Sequence, residues 1–319
     1  ALRKARLTNT EIIGTSDDPR TLSSLNKLGA FDRTEGRLRD AIDGATLVVL
    51  DVPIKEIKEL IEAIGPILED NCTVTDTGDS KKLVIGWAEE YFPPTINFVG
   101  GHPLLNKSIT SLENADATVF QGTSYCIMPS SSANSESVRT VVGLVEAIGA
   151  NPLFLDSLEH DSYVSAMSHL PTVISAAYVS AITGSPSWRE MYRFASSDFA
   201  ELSRLSGRDP IENETACLSD RSSLIHWIDQ FIYTFHNMRN EIAEGSDDLV
   251  KFFAKAWEGR AMWEAGIVAK PSSPHIPSAH ESMTTAFLGD HLAKRLSRTT
   301  SRNDGKQSWQ YPGKFNIRE

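Results

Sequence analysis

The chain has 319 residues, 40% of them hydrophobic and 23% charged, with a net charge of -11 at pH 7. This balance is typical of a globular protein with room for two domains, and the acidic charge argues against nucleic-acid binding through a broadly basic surface. The three cysteines, Cys72, Cys126 and Cys217, are far apart and form no CxxC pair. We therefore expect no metal site, and thiols in a reducing compartment.

No segment of the sequence is typical of a membrane span or an export signal. The most apolar stretch, residues 170–183, is interrupted by a proline and several hydroxyl residues, and it is shorter than the ~20 residues that a spanning helix needs. Residues 1–6 are basic, lack the apolar core of a signal peptide and are typical of the end of a helix. The sequence predicts a soluble, cytoplasmic protein.

Short apolar, β-branched runs alternate with helical stretches in the first half of the chain. Strands are expected at residues 11–15, 46–51, 72–76, 96–100, 118–128 and 152–155. Isoleucines and leucines spaced three and four apart predict an amphipathic helix at 53–69, and a second helix fits 135–148, with Gly149 as its C-cap. This alternation predicts an α/β fold, in which a mostly parallel sheet is covered by helices.

The pattern changes after residue 155. Long helical stretches follow one another from 157 to 265 with no convincing strand, which predicts an all-helical second domain. The remaining tail is rich in proline, serine and histidine and then becomes basic, so we expect an extended arm, with a partly disordered tail as the alternative. The predicted domains are 1–155, 156–268 and 269–319.

A dinucleotide-binding fold normally opens with a strand, a G-x-G-x-x-G loop and a helix, and its second strand ends near the adenosine ribose. The chain contains no such glycine motif, but residues 12–18 are typical of the second strand. We therefore expect that ~25 residues with the first strand and the loop are missing from this sequence; an α/β domain that never had the loop is the alternative. Ser16 leaves room for a 2′-phosphate, whereas Asp17 and Asp18 would repel one, so NADP is slightly favoured and NAD stays open.

Further short segments stand in a fixed order along the chain. They are Leu50-Asp51-Val52-Pro53, Asp76-Thr77-Gly78-Asp79-Ser80-Lys81, Gly100-Gly101-His102-Pro103, Glu159-His160-Asp161 and Ser168-His169-Leu170-Pro171. On these segments, over about residues 1 to 260, the chain resembles the prephenate and arogenate dehydrogenases of tyrosine biosynthesis. The resemblance implies a Rossmann-like nucleotide-binding domain, a helical domain that forms a homodimer, and an active site in the cleft between them. The implied reaction is NAD(P)-dependent oxidative decarboxylation of prephenate or arogenate.

The resemblance also implies roles for individual residues. His102 takes the position of the catalytic base, which suits histidine because its unperturbed pKa is ~6.5. Arg204 takes the position of the arginine that binds the substrate carboxylate, for which a forked guanidinium is well shaped. The residues expected to bind the cofactor are Ser16, Asp17, Asp51, Val52, Pro53, Thr77 and Gly78.

One departure from the family pattern lies beside the expected base. The family commonly has D-x-G-S-x-K at the segment that starts with Asp76, and here Asp79 stands in place of the serine. We expect Asp79 to be part of the catalytic site, where it would orient His102 and raise its pKa. Two alternatives stay open: Ser80 keeps the serine's role in contact with substrate, or Asp79 caps the following helix.

The segment around His169 carries a second departure, because the histidine that often follows the proline is Thr172 here. On a helix, Ser165, His169 and Thr172 share one face, and we expect His169 and Thr172 to contact substrate; a histidine satisfied within the core is the alternative for His169. His160 and Asp161 are expected to form a hydrogen-bonded pair between the domains.

Further departures lie at residues 104–106, where Leu-Leu-Asn replaces a common Met-Ala-Gly, and around Asn213, where a tryptophan is common. These departures leave the identity of the substrate open, but they do not affect the class of reaction. Two other functions therefore remain. One is a related dehydrogenase that acts on another hydroxy acid, and the other is a non-catalytic dimeric binding protein with the same fold.

Overall fold

The computed structural model describes residues 1–105 and 112–267. By its contacts the chain divides into two units, Ala1–Phe231 and Ile232–Glu319, and each is described by itself. Asn106 and the predicted C-terminal arm at 269–319 lie outside the described residues. The predicted domain bounds stay predictions.

The strands of the first unit form two sheets. Their bounds are Ile13–Thr15 (β1), Arg33–Glu35 (β2), Leu47–Leu50 (β3), Thr73–Asp76 (β4), Asn97–Pro103 (β5), Ser124–Pro129 (β6) and Asn151–Phe154 (β7). β1 and β2 pair in parallel, and the other five form a sheet in the order β3-β4-β5-β6-β7, in which only β5 and β6 are antiparallel. This confirms the predicted α/β fold. β2 was not predicted, and residues 118–123 of the predicted fifth strand are not extended.

The described chain also contains thirteen α-helices. Their bounds are Leu2–Ala5 (α1), Pro19–Leu28 (α2), Leu38–Ile42 (α3), Ile54–Ile64 (α4), Lys81–Tyr91 (α5), Ser135–Ala147 (α6), Ser157–Val164 (α7), Leu170–Thr183 (α8), Trp188–Met191 (α9), Ser197–Ser203 (α10), Pro210–Ser219 (α11), Arg221–Glu244 (α12) and Leu249–Glu264 (α13). A π-helical segment, Ser165–His169, joins α7 to α8, and a 3-10 turn, Arg204–Gly207, follows α10. Between 157 and 267 the described chain contains no strand, which confirms the all-helical second half.

The core of the α/β half is the one that the apolar spacing predicts. Ile57, Ile61 and Ile64 on α4 are fully buried, and they pack in one cluster with Val74 of β4 and Phe98 of β5. Each such side chain stabilises the fold by roughly 1.5–3 kcal/mol relative to full exposure. α4 thereby packs against the strands whose carboxyl ends carry the candidate site.

The second predicted helix also forms, as α6. The side chain of Asn134 accepts hydrogen bonds from the backbone N–H groups of Glu136 and Ser137 at its start, as expected of an N-cap. After its last turn, Gly149 adopts φ 83°, a left-handed conformation that glycine takes at little cost. The helix thus ends where the sequence predicts.

Among the described helices, none combines the length and the apolar character needed to cross a membrane. The predicted cytoplasmic location stays a prediction.

Candidate active site

The loop after β4 and the end of β5 lie side by side, because the two strands are parallel neighbours. Thr75 pairs with Val99, so that Asp76 and the glycines before His102 come next in register. The backbone N–H of Gly101 donates to Asp76 Oδ1 at 3.1 Å. The Asp76–Lys81 segment and the Gly-Gly-His segment, which the sequence separates by about twenty residues, therefore form one structure.

The two glycines before His102 lie where β5 closely approaches neighbouring groups. A Cβ atom on Gly101 would lie 2.5 Å from the carbonyl oxygen of Asp76 and 2.9 Å from Tyr125 Cε1. A Cβ atom on Gly100 would lie 3.2 Å from the Met128 carbonyl oxygen. Glycine at both positions lets β5 approach its neighbours closely enough to place His102 beside the β4 loop.

Asp76 and Lys81 form a fully buried ion pair. Asp76 also accepts hydrogen bonds from the N–H groups of Gly78 and Gly101, each at 3.1 Å. A buried charge is tolerated when it is paired and hydrogen-bonded, and here the pair ties together both segments of the site. Sequence reasoning did not assign Lys81 a role, because a lysine at the start of a helix is usually exposed; its place in the D-x-G-S-x-K pattern was the only signal.

His102 is linked to two buried residues of α7. Its Nδ1 lies 2.9 Å from His160 Nε2, and His160 Nδ1 lies 2.8 Å from Asp161 Oδ1. Asp161 also accepts hydrogen bonds from the backbone N–H groups of Lys81 and Lys82, both at 2.9 Å. The predicted hydrogen-bonding pair His160–Asp161 thus joins α7 to the start of α5 and to the expected base.

The direction of these hydrogen bonds follows from the acceptor at the end of the chain. An ionised carboxylate can only accept, so His160 Nδ1 carries a hydrogen and donates it to Asp161. A neutral His160 then presents an unprotonated Nε2, to which His102 Nδ1 donates. His102 Nε2 is left with a free lone pair, which is the arrangement that a general base requires.

The pKa of His102 is lowered to about 3, first by burial and then by its neighbours His160 and Lys81. Asp79 and Asp161 act in the opposite direction, as was expected of Asp79, but burial outweighs them. The expectation of a raised pKa for His102 is therefore not met. The imidazole is neutral near pH 7, which keeps its lone pair available.

Asp79 lies beside His169 rather than in a hydrogen bond to His102. Its Oδ2 is 3.5 Å from His169 Nε2, and its side chain is 40% exposed. The partner that orients His102 in the described structure is instead His160. Burial alone would raise the pKa of Asp79, but His169, with His102 and Lys81, lowers it to about 2.

The alternative in which Asp79 caps the next helix is wrong. The residue at the N-cap of α5 is Ser80, whose side chain makes no cap hydrogen bond. The first N–H groups of α5 are taken by Asp161, a carboxylate from another helix. Asp79 therefore does not stabilise the start of α5.

The predicted shared face of Ser165, His169 and Thr172 is a buried face. The three side chains are 0%, 4% and 7% exposed, and Thr172 Oγ1 donates to the Ser168 carbonyl oxygen at 3.1 Å. Among the described residues, Ser165 Oγ and both ring nitrogens of His169 have no hydrogen-bond partner, and neither has Ser80 Oγ. A core histidine with satisfied nitrogens, the alternative for His169, does not describe this arrangement.

Arg204 is exposed and begins the 3-10 turn after α10. The turn is held against α8, because Ser175 Oγ accepts from the backbone N–H of Ser206 at 3.1 Å and also bonds its hydroxyl. Within the described chain, no hydrogen bond or ion pair joins Arg204 to another predicted site residue. Asn213, where the family commonly has a tryptophan, is half-buried on α11.

The residues expected to bind the cofactor lie at the carboxyl ends of β1, β3 and β4. Thr77 Oγ1 donates to Asp51 Oδ1 at 2.6 Å, which ties the loop after β4 to the loop after β3, where Val52 is half-buried and Pro53 is exposed. Ser16 Oγ accepts from the N–H of Asp18 at 3.2 Å. Asp17 is exposed.

The described residues hold no group of three or more side chains that could bind a metal ion.

Two family models match the chain. The model described as prephenate dehydrogenase, nucleotide-binding domain, matches residues 1–153, and the model described as prephenate dehydrogenase, dimerization domain, matches residues 156–255. Together they cover most of the chain.

Individual proteins show the same relationship at low identity. Prephenate dehydrogenase of Bacillus subtilis is 23% identical over 237 residues, which cover 73% of this chain and 64% of that protein. Cyclohexadienyl dehydrogenase of Zymomonas mobilis is 25% identical over 236 residues, with 73% and 80% of the two chains covered. This chain thus spans less than two thirds of the Bacillus relative.

A solved structure shares the fold. Prephenate dehydrogenase from A. aeolicus, in complex with hydroxyphenyl propionate and NAD+, superposes with a TM-score of 0.74 at 21% identity and covers 82% of this chain and 91% of that one. This confirms the Rossmann-like α/β half and the helical half as one known architecture.

Proposed function

The chain belongs to the prephenate dehydrogenase family, and we propose that it catalyses the NAD(P)-dependent oxidative decarboxylation of prephenate or arogenate in tyrosine biosynthesis. The observation that carries this proposal is the hydrogen-bonded chain Asp161–His160–His102. It leaves a neutral imidazole with one free nitrogen at the edge of the sheet where the fold places ligands.

The loops after β1, β3 and β4 fit a nicotinamide dinucleotide. Their polar and small residues stand at the carboxyl ends of parallel strands, where such cofactors bind in doubly wound folds, and the Thr77–Asp51 hydrogen bond fixes two of the loops relative to each other. Ser16, Asp17, Asp51, Val52, Pro53, Thr77 and Gly78 would hold the cofactor. When bound, it supplies the acceptor for a hydride.

His102 acts as the base for the ring hydroxyl of the substrate. Its Nε2 takes the hydroxyl proton as hydride leaves the same carbon and the carbonyl forms. The bond from the ring to its carboxylate then breaks, carbon dioxide departs, and the electron pair of that bond makes the ring an aromatic phenolate, which takes the proton back from the imidazolium. The resulting imidazolium is stabilised through His160 by the carboxylate of Asp161, as a buried aspartate stabilises the histidine of a hydrolase triad. General base catalysis of this kind contributes roughly 10²- to 10⁴-fold.

Four further residues bind the substrate in this proposal. Arg204 binds a carboxylate through its exposed guanidinium. Ser80 and His169 carry buried polar atoms with no hydrogen-bond partner in the described structure, which is costly unless a ligand or water satisfies them. Thr172 continues the same buried face.

NADP is the proposed cofactor rather than NAD. Asp18, which was expected to repel a 2′-phosphate, uses its carboxylate to accept hydrogen bonds from the N–H groups of Arg20 and Thr21. Its charge is thereby directed to the helix N-terminus, and Ser16 leaves space at the ribose position. A lower KM for NADP+ than for NAD+ supports this choice, and the reverse order removes it.

The proposed assembly is a homodimer formed through the helical domain, in line with the dimerization-domain model that the chain matches.

The function is tested by incubating the purified protein with prephenate or arogenate and either cofactor, and by following reduced nicotinamide together with released carbon dioxide. We expect both products in equal amounts with at least one substrate. No turnover of either substrate with either cofactor would reject the proposed reaction.

A further inference from the structure

Besides the aspartates of the cofactor loops, three aspartates lie in the site, and two of them are fully engaged by the protein. Asp76 is paired with Lys81 and accepts two backbone N–H groups. Asp161 accepts two other backbone N–H groups and His160. Their charges are therefore compensated within the fold, and neither is available to a ligand.

Asp79 differs from the other two aspartates. Its Oδ2 lies 3.5 Å from His169 Nε2, no other hydrogen bond or ion pair of its side chain is seen among the described residues, and 40% of the side chain is exposed. Since Asp161 caps α5 from another helix, Asp79 is not needed there. Its lowered pKa, about 2, keeps it ionised near pH 7.

Polar atoms without hydrogen-bond partners occur at His169, which contacts this carboxylate, and at two nearby positions of the chain. His169 is only 4% exposed, yet neither of its ring nitrogens has a hydrogen-bond partner in the described structure, and the same holds for Ser80 Oγ and Ser165 Oγ. Buried polar groups are normally satisfied. Their shared deficit beside an open carboxylate indicates that this part of the site receives a polar ligand group.

We propose that Asp79 selects a substrate that carries a protonated amine, which its carboxylate binds. This inference rests on the proposed function and deepens it. Prephenate carries two carboxylates and no cation, so a free carboxylate in the site repels it, whereas an amine-bearing analogue gains a charge-assisted hydrogen bond. The amine is either on the side chain, as in arogenate, or on the ring in place of the hydroxyl; in the second case His102 takes one proton from the ammonium, after which hydride leaves the same carbon, an iminium forms, and loss of carbon dioxide gives the aromatic amine.

The first test compares kcat/KM for prephenate, arogenate and the ring-amino analogue of prephenate in the wild type and in Asp79→Asn and Asp79→Ser. We expect one amine-bearing compound to be preferred by on the order of 10- to 100-fold and both variants to lose that preference. Which amine compound is preferred identifies the position of the amine. Glu146→Gln, the same change of charge on the exposed side of α6, is the control and should keep the wild-type order.

A binding measurement separates this inference from the proposed function. Calorimetry with the same compounds, without cofactor, reports affinity whether or not turnover occurs. Tighter binding of an amine compound that is lost in Asp79→Asn supports the inference even if no compound is oxidised. Two results would overturn the inference: a wild-type preference for prephenate, or an amine preference that Asp79→Asn and Asp79→Ser both leave unchanged. In either case, turnover of prephenate or arogenate would still support the proposed function.

Discussion

At His102, the direction of one hydrogen bond decides the chemistry. Asp161 is an obligatory acceptor because it is also bound by two backbone N–H groups, and this fixes the proton on His160 Nδ1 and then on His102 Nδ1. If either histidine had the opposite tautomer, His102 Nε2 would carry the proton and could not accept another. Asp161 therefore sets the tautomer of His102 through His160.

The lowered pKa of His102 predicts acid sensitivity of the fold. Its value of about 3 in the folded protein lies below the ~6.5 of an unfolded chain, so between these values the unfolded chain binds a proton that the folded one excludes. This stability is complete above about pH 6.5 and is lost as the pH falls toward about 3. The lowered pKa of Asp79 also makes the stability fall as the pH falls, but only below about pH 4.

We expect His102→Gln to lose less stability than the wild type when the pH is lowered from about 7 to about 4.5. Urea unfolding at both pH values measures the free energy difference. If both proteins lost the same free energy of unfolding, folding would not prevent the protonation of His102.

Arg204 is predicted to act on substrate binding alone. Since it makes no hydrogen bond or ion pair to the other site residues in the described chain, Arg204→Ala should leave the fold unchanged. It should raise the KM of the substrate by on the order of 10- to 100-fold, the equivalent of one charge-assisted hydrogen bond, while the KM of the cofactor stays constant. Unchanged substrate KM in steady-state kinetics would contradict the role.

At the scale of elements, α5 depends on α7 for its start. Asp161→Ala leaves two N–H groups of α5 without an acceptor and breaks a buried network, which should cost roughly 3–5 kcal/mol of stability. Asp156→Ala removes an ordinary cap, the acceptor for the N–H of Leu158, and should cost about 1 kcal/mol. Denaturant unfolding of both variants measures the difference, and similar losses would show that Asp161 contributes no more than an ordinary cap.

The end of β5 depends on glycine. Because a Cβ on Gly101 meets the Asp76 carbonyl oxygen at 2.5 Å, Gly101→Ala should lower both stability, by about 1–3 kcal/mol, and activity. Gly143 on α6 has no neighbour within 4 Å of such a Cβ, so Gly143→Ala should stabilise the protein by roughly 0.5–1 kcal/mol. Thermal unfolding and a turnover assay compare the two, and a Gly101→Ala protein as active as the wild type would refute the steric argument.

The elements that could be predicted from the sequence are those with a strong apolar pattern. α4 was predicted because its isoleucines repeat at helical spacing, and β4 because Cys72 to Asp76 is short and β-branched. β2 was missed, since Arg-Thr-Glu has three residues and no apolar face. The π-helical turn at Ser165–His169 also escaped, because one extra residue per turn leaves no mark in the composition.

For the candidate site, too, only part could be predicted from the sequence. Short motifs indicated His102, Asp79 and Arg204, but not which side chains touch. The contact of His102 with His160 joins residues 58 positions apart and depends on how α7 packs against the sheet. No local pattern contains that information.

At the scale of the whole molecule, we expect the chain to form a homodimer. Ile232 and Ile242 on α12 and Phe253 on α13 each have more than half of their surface exposed, and helices that expose several large apolar side chains are typical of a surface that a partner covers. We expect a dimer in sedimentation analysis, shifted toward monomer in Ile242→Asp or Phe253→Asp but not in Lys255→Asp. A monomeric wild type would exclude the homodimer.

In the proposed function this chain is a dehydrogenase with His102 as its base. The most direct measurement is kcat for the oxidation of prephenate and arogenate by the wild type and by His102→Asn, with circular dichroism to show that both are folded. We predict turnover of at least one substrate by the wild type and a loss of roughly 10²- to 10⁴-fold in His102→Asn. A folded His102→Asn protein that turns over as fast as the wild type would contradict the account.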